Sequence, residues 1–307
     1  MNRYKQLHKT IRWLQENSHS KLLLAGKIGL EKESLRVNAA GSISQQSHPT
    51  ALGAALTHPY ITTDFSEALC ELVTPPFASS AEALQFLKTT HQFVYRNLHS
   101  EILWATSMPC LVAGETSIPI ADYGKSNEGL MKKIYRIGLG KRYGQVMQVI
   151  AGVHFNYSVN PEFWPMYQHY SCQSTKLQSF IDEHYFYLIR NLQRFGWLIP
   201  YLFGSSPAVC KSFFDGKESD LQLFDDSTYY EPYATSLRMG DFGYQNNKSK
   251  QTGFKANYND LASYIESLNW AINTPYSEYQ KIPIKKGSKY NQLNIFRSFF
   301  NWNFLIF

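Results

Sequence analysis

Cysteine is scarce in this chain: four residues in 307, Cys70, Cys110, Cys172 and Cys210, with no Cys-x-x-Cys among them. That spacing excludes a thiolate zinc site and a paired redox dithiol, and in a chain of this length it predicts free thiols in a reducing compartment. The opening Met-Asn-Arg-Tyr-Lys-Gln-Leu-His-Lys lacks the apolar stretch of a secretory leader. No apolar run approaches the ~20 residues of a spanning helix. A cytoplasmic protein with no membrane engagement is the expectation. Gly124-Lys125-Ser126 ends like a phosphate loop, but the glycine needed five positions before Gly124 is Pro119, which excludes the motif. No Ser or Cys stands in a nucleophile elbow. Acids are missing beyond Glu278, where Lys281, Lys285, Lys286, Lys289 and Arg297 lie. Removing those five from the net charge of +6 leaves +1 over residues 1–278, so the body of the chain carries no basic signature of a nucleic-acid partner.

What is present describes a globular protein with an ample core: 44% hydrophobic and 18% charged residues, with tyrosine the commonest aromatic. Tyr4, Leu7, Ile11 and Leu14 recur at helical spacing and predict a first helix ending near Asn17. Ser80 is positioned to cap a helix reaching Leu98, with Leu84, Leu87, Val94 and Leu98 inward. Further helices are expected over Leu130–Leu139, over 174–195 with Leu177, Phe180, Ile181, Leu188 and Leu192 as the apolar stripe, and after a cap at Asn259. Met147–Ser158 reads as a strand with His154, Asn156 and Ser158 on one face. No repeat and no linker divides the chain, so one α+β domain is expected.

The chemistry concentrates in Ile28-Gly-Leu-Glu-Lys-Glu-Ser-Leu-Arg-Val37. Read as a strand, it puts Glu31, Glu33, Leu35 and Val37 on one face and Lys32 and Ser34 on the other. Carboxylates two apart stand roughly 6.6 Å from each other and repel, and burial raises that cost unless cations sit between them. A pair of divalent ions suits such a face, whereas a solvated edge strand neutralised by Lys32 and Arg36 carries the same pattern. In Ile61-Thr-Thr-Asp-Phe-Ser-Glu-Ala-Leu-Cys-Glu-Leu-Val-Thr-Pro75, a helix would align Asp64, Glu67 and Glu71. Alternation over Leu69–Thr74 instead predicts a turn through Asp64 and a strand that isolates Glu71 among apolar residues. Three strand segments thus carry Glu31 and Glu33, Glu71, and His154 with Asn156. Several carboxylates and one imidazole suit Mg²⁺ or Mn²⁺ rather than zinc. A hydrogen-bonded structural histidine is the other reading of His154.

Gly29-Leu-Glu-Lys-Glu-Ser-Leu-Arg36 and Thr62-Thr-Asp-Phe-Ser-Glu-Ala-Leu-Cys-Glu71 resemble two signature segments of the glutamate–cysteine ligase family, in its proteobacterial type. So do Tyr123-Gly-Lys-Ser-Asn-Glu-Gly129, Tyr135-Arg-Ile-Gly-Leu139, Gly152-Val-His-Phe-Asn156, Arg194 to Pro207 and Pro232-Tyr-Ala-Thr-Ser-Leu-Arg238. The resemblance implies a curved antiparallel sheet forming a funnel with helices outside, akin to the catalytic domain of glutamine synthetase. It implies an ATP-dependent carboxylate–amine ligase that joins the γ-carboxylate of L-glutamate to the amine of L-cysteine through γ-glutamyl phosphate. Carried onto this chain, Glu31, Glu33, Asp64, Glu71 and His154 would be metal ligands for Mg²⁺ or Mn²⁺. Arg136 would face the transferring phosphoryl, and Tyr135, Gln148, Arg238 and Tyr244 would surround the amino-acid substrates. Core packing for the two tyrosines and a surface ion pair for Arg238 are the alternative readings. The resemblance makes residues 1–294 an incomplete catalytic domain, since the family continues with a further Glu ligand and later Tyr and Arg. Residues 295–307 form a foreign-looking tail, its last twelve residues including six aromatics and no acid. That ligase is the leading expectation, with an inactive truncated remnant of it, or a metal- or amino-acid-binding module, as the alternatives.

Overall fold

A computed structural model of the chain describes residues 3–16, 18–238, 240, 256–274, 285–286 and 289–290. Tyr244 and the 295–307 tail lie outside the described residues. Helices α1 (Arg3–Glu16) and α2 (Ser20–Leu24) lead into β1 (Lys27–Val37), the longest strand. After β1 come β2 (Ile61–Thr63), β3 (Leu69–Val73), α3 (Ser80–Arg96), β4 (Ile102–Leu103), α4 (Asn127–Tyr143) and β5 (Val153–Ser158). The chain continues through α5 (Phe163–Tyr170), α6 (Leu177–Phe195), α7 (Leu198–Phe203), β6 (Ala208–Cys210), β7 (Gln222–Leu223), β8 (Thr228–Tyr230) and α8 (Leu261–Asn273).

The main sheet is antiparallel and open, in the order β2-β3-β1-β4, with β5 pairing β1 on the same side as β4. At eleven residues β1 is long enough to pair β5 along its first half and β4 at its end. The solvated edge-strand reading is therefore wrong, because β1 is central. Lys32 turns to the Ser34 hydroxyl and the Glu33 carbonyl on the back of the sheet. Arg36 is buried, and its guanidinium donates to Glu101 Oε2 at 2.6 Å and to the carbonyls of Gln46 and Glu67 at 2.8 and 2.9 Å. Arg36 is thereby spent on other partners, and Lys32 feels the charge of Glu33 only from the back of the sheet.

The back of β3 and β2 is packed under α3, where Ile61, Cys70, Leu72, Val94, Leu98 and Leu103 form one apolar cluster. On the front face the character of β1 changes along its length. Glu31 and Glu33 occupy the first half, while Leu35 and Val37 enter the main core with Phe65, Leu69, Met108, Val149, Ile150 and Val209. The acids thus sit on the same rigid surface as the core, just where the core stops.

Several local expectations shift for physical reasons. Ser79 rather than Ser80 caps α3: its hydroxyl accepts from Glu82 N–H and donates to the Glu82 carboxylate, one residue earlier than expected. Likewise Asp260, not Asn259, caps α8 by accepting from Ser263 N–H at 2.8 Å. Leu84 of α3 and Leu177, Leu188 and Leu192 of α6 are exposed rather than inward. The long strand from Met147 is shorter than expected, because Val146–Val149 is a 3-10 turn and β5 begins at Val153. The backbone between them is engaged elsewhere: Ala151 N–H bonds to the Ser107 carbonyl and Gly152 N–H to a carboxylate of the site, while the Gly152 carbonyl still accepts from Glu33 N–H on β1 at 2.9 Å.

Candidate active site

Strand register assembles the acids. Glu33 lies directly opposite Glu71, Glu31 opposite His154, and Gly29 opposite Asn156, so all these side chains share the front face of the sheet. Asp64 follows β2 at the head of the turn into β3, its N–H bonded to the Leu69 carbonyl. The helical alternative for this stretch fails. Glu67 accepts instead from His48 N–H and Asp122 N–H at 2.8 Å each, a carboxylate spent on holding two loops.

Each acid meets a different environment. Glu31 is half-exposed and accepts from the His154 ring and from Asn156 Nδ2, both at 2.9 Å. The imidazole bond holds the Glu31 carboxyl below its ordinary value, and the same bond raises His154 above its own. Glu33 is buried and accepts from Gly152 N–H at 2.6 Å. Burial, and next the charge of Asp64, push it up to about 7. Burial also raises Asp64, against the pull of Arg136. Glu71 is pushed up to about 8, chiefly by burial and then by Asp64, Glu33 and Glu31. These carboxylates cannot all ionise at neutral pH without added positive charge.

Two guanidiniums stand at the rim. Arg136, from α4, donates through Nε to the Asp64 carbonyl and through Nη1 to the Lys132 carbonyl at 3.0 Å. It rests 4.7 Å above the ring of Tyr123, whose hydroxyl donates to the Thr63 carbonyl at 2.7 Å. Arg238 donates through Nε to the Ala151 carbonyl at 3.1 Å. Its field lowers Glu33 and Asp64 while opposing the charge on His154.

Glu31, Glu33, Asp64, Glu71, His154, Arg136 and Arg238 are thus brought together. Two other sequence-predicted residues are buried or part-buried nearby in the chain. Tyr135 packs against the main core, and Gln148 is buried in the 3-10 turn between Val146 and Val149. Among the described residues no group of three or more His, Cys, Asp or Glu side chains stands ready as a cation cage. Glu31 is turned to His154 and Asn156, and Glu33 to Gly152.

Two contributors escaped sequence reasoning. Gly152 binds Glu33 through its N–H, and a Cβ there would lie 2.5 Å from Arg238 Nη2 and 3.0 Å from His154 Nε2. The glycine just before the alternating residues of β5 was the available signal, since glycine at a strand entrance marks close approach. Tyr123, the ring beneath Arg136, opens one of the family-like segments, but a tyrosine before a glycine turn carries no local signal of this role.

The front face of this open antiparallel sheet gathers buried acids, with guanidiniums at the rim, a surface suited to divalent ions and phosphoryl groups. Comparisons with known proteins narrow the class. A glutamate-cysteine ligase family model matches residues 11–297. The chain is 48% identical over 284 residues to a glutamate–cysteine ligase of Alcanivorax borkumensis, covering 91% of this chain and 54% of that protein. It is 51% identical over 267 residues to the Hahella chejuensis ligase, covering 87% and 50%. Among solved structures, a glutamate–cysteine ligase from Francisella tularensis in complex with AMP superposes with a TM-score of 0.77 at 36% identity, over 87% of this chain and 52% of that one. A bifunctional glutathione synthetase from Pasteurella multocida gives 0.69 at 29% identity, over 84% and 32%. The chain belongs to the glutamate–cysteine ligase family. It spans about half the length of the curated relatives it matches.

Proposed function

We propose that this face serves the ATP-dependent ligation of the L-glutamate γ-carboxylate to the L-cysteine amine through γ-glutamyl phosphate, the opening step of glutathione biosynthesis. The observation that carries the reading is the convergence of Glu31, Glu33, Asp64, Glu71 and His154 on the front of one sheet, beside Arg136 and Arg238. The AMP complex of the Francisella relative supports an adenine nucleotide as the ligand.

The donor set fits Mg²⁺ or Mn²⁺, since burial and mutual repulsion hold Glu33, Asp64 and Glu71 above their ordinary values and a divalent ion removes both penalties. Bound among Glu31, Glu33, Asp64, Glu71 and His154, such an ion would screen the triphosphate from the carboxylates and neutralise charge on the transferring phosphoryl. Arg136 holds a fixed positive charge beside Asp64, braced by two carbonyls and a ring, where it stabilises charge developing on that phosphoryl. Arg238, whose Nε is tied to the Ala151 carbonyl, is the guanidinium assigned to a substrate carboxylate. Tyr135, Gln148 and Tyr244 complete the proposed substrate set. The Glu31 bond raises the proton affinity of His154, so a metal ligated there competes with a proton. Residues 1–294 act as one unit in this reading, and the setting is the cytoplasm. Among the described residues no helix is long and apolar enough to cross a membrane.

A second reading has its own support. Glu31 and Glu33 turn to internal partners, which favours a chain that binds metal and nucleotide without turnover by itself. One experiment separates the two. Calorimetry of the purified chain with ATP should show binding that requires Mn²⁺ or Mg²⁺ and is lost in Asp64→Asn. Phosphate release after adding glutamate and cysteine then marks the ligase, and its absence the binding module. Nucleotide binding that ignores both metal and Asp64→Asn would overturn both.

A further inference from the structure

Beyond the end of the sheet that carries no acids, the aromatic layer of α1 and α5 encloses a cavity. It measures about 510 Å³ and is walled by Trp13, His19, Pro165, Met166, His169 and Tyr170. The strand ends leading to it are Lys27, which follows α2, and Ser158, which precedes α5, and these two pair. Glu31 lies four residues further along β1, about 13 Å away. Trp13 anchors the walls: its ring stacks on Tyr170 at 4.3 Å and meets His19 at 4.5 Å, tilted by 57°. Two polar atoms of these walls, Tyr170 Oη and His19 Nδ1, are buried with no hydrogen-bond partner. Neighbouring tyrosines are satisfied: Tyr157 Oη donates to the Leu23 carbonyl, and Tyr185 Oη accepts from Val159 N–H at 3.2 Å. Buried phenols and imidazoles normally find partners, so two orphans in the walls of one cavity point to a group supplied from outside.

We propose that this cavity binds a neutral, planar heteroaromatic molecule of the purine-base class. Its volume falls within the roughly 300–1,000 Å³ of small-molecule sites, whose usual lining is apolar rings with a few polar groups. The flat walls of Trp13 and Tyr170, with the Met166 thioether beside them, favour a flat ligand over an aliphatic one. A phenol donates or accepts, and an imidazole nitrogen does either according to its tautomer. An uncharged ring edge bearing both a donor and an acceptor therefore answers both orphans. Purine bases carry such an edge, an amino or N–H donor beside a ring or carbonyl acceptor. Charge argues against other ligands. The lining residues include no Lys, Arg, Asp or Glu, so a phosphate or carboxylate would lose its hydration there without gaining an ion partner. ATP is thus not the occupant, and the site stands apart from the acid face whether or not the chain turns substrate over.

The test is calorimetric titration of the full 307-residue chain with adenine, and separately with hypoxanthine, each with and without saturating Mn²⁺ and ATP. The expected result is saturable 1:1 binding of at least one base with a dissociation constant below about 1 mM, a modest efficiency for about ten heavy atoms. Mn²⁺ and ATP should leave it unchanged. Tyr170→Phe keeps the ring stacked on Trp13 and removes only the orphan hydroxyl, so it should weaken the base at least tenfold without lowering Tm. A purely structural tyrosine would show no such split. Tyr187→Phe, an exposed tyrosine of α6 bonded to Glu183, should leave binding unchanged. If Tyr170→Phe fails to fold, His19→Ala decides by the same tenfold criterion. The proposal is overturned by absence of saturable binding with either base, by displacement with Mn²⁺ and ATP, or by an affinity that the deciding variant leaves unaltered.

Discussion

Glu71→Gln should make the metal-free chain more stable and make it blind to metal. In the fold Glu71 binds its proton with a value of about 8, against an ordinary 4.5, because burial and three neighbouring acids oppose its charge. A group raised in this way contributes stability that is complete below pH 4.5 and is lost as pH rises through about 8. At about 1.4 kcal/mol per pH unit, the rise from 4.5 to about 8 amounts to about 5 kcal/mol at pH 8.5. Glu71 is only half-buried, and water entering an open sheet screens part of this, so about 2–3 kcal/mol is the expected gain from a neutral amide. At ~2.1 cal/mol/K of unfolding entropy per residue, that gain is roughly 3–5 °C in Tm for 307 residues. Thermal unfolding in chelator at pH 5 and pH 8.5 is the assay. The two proteins should agree at pH 5, and the variant should melt higher at pH 8.5. Millimolar Mn²⁺ should then raise the unmodified chain and leave the variant unmoved. A Glu71→Gln chain that melts lower in chelator at pH 8.5, or keeps the full Mn²⁺ response, would refute the reasoning, because either outcome means that Glu71 is not a strained donor awaiting a cation.

Gly152→Ala should keep the Glu33 bond but displace Arg238, costing at least tenfold in Mn²⁺-dependent nucleotide affinity with a Tm change of no more than a few degrees; unaltered affinity by calorimetry would contradict the packing around that Cβ. Arg36→Met strips two carbonyls and a carboxylate of their donor in a buried pocket, so urea unfolding should report a loss of about 3–5 kcal/mol, and under 1 kcal/mol would mean water replaces the guanidinium. All four cysteines are free, so denatured protein should titrate four thiols. In native protein Cys172, exposed, should react first, and Cys70 should resist reagent at pH 8, since burial pushes it up to about 12. Labelling of Cys70 at the Cys172 rate would show that the α3 layer opens readily.

Alternation alone determined which side chains of β1 share a face. The period of a strand is two, so Glu31 and Glu33 part from Lys32 and Ser34 whatever the surroundings. The same rule isolated Glu71 in Leu69–Val73 and grouped His154 with Asn156, and the family motifs supplied the residues that belong with them. Which strands meet was beyond that rule. Register across β1 set Glu33 against Glu71 and Glu31 against His154, contacts 38 and 123 residues apart in sequence that no local pattern encodes. Nor could composition reveal that Arg36 would be consumed by Glu101, that Glu67 would brace two loops, or that Val146–Val149 would coil into a 3-10 turn. Local periodicity decides which way a side chain points, because each strand or helix imposes it by itself. Partnership, burial and the proton affinities that follow depend on distant groups sharing one space, and only the assembled sheet brings four acids and two guanidiniums close enough to shift one another.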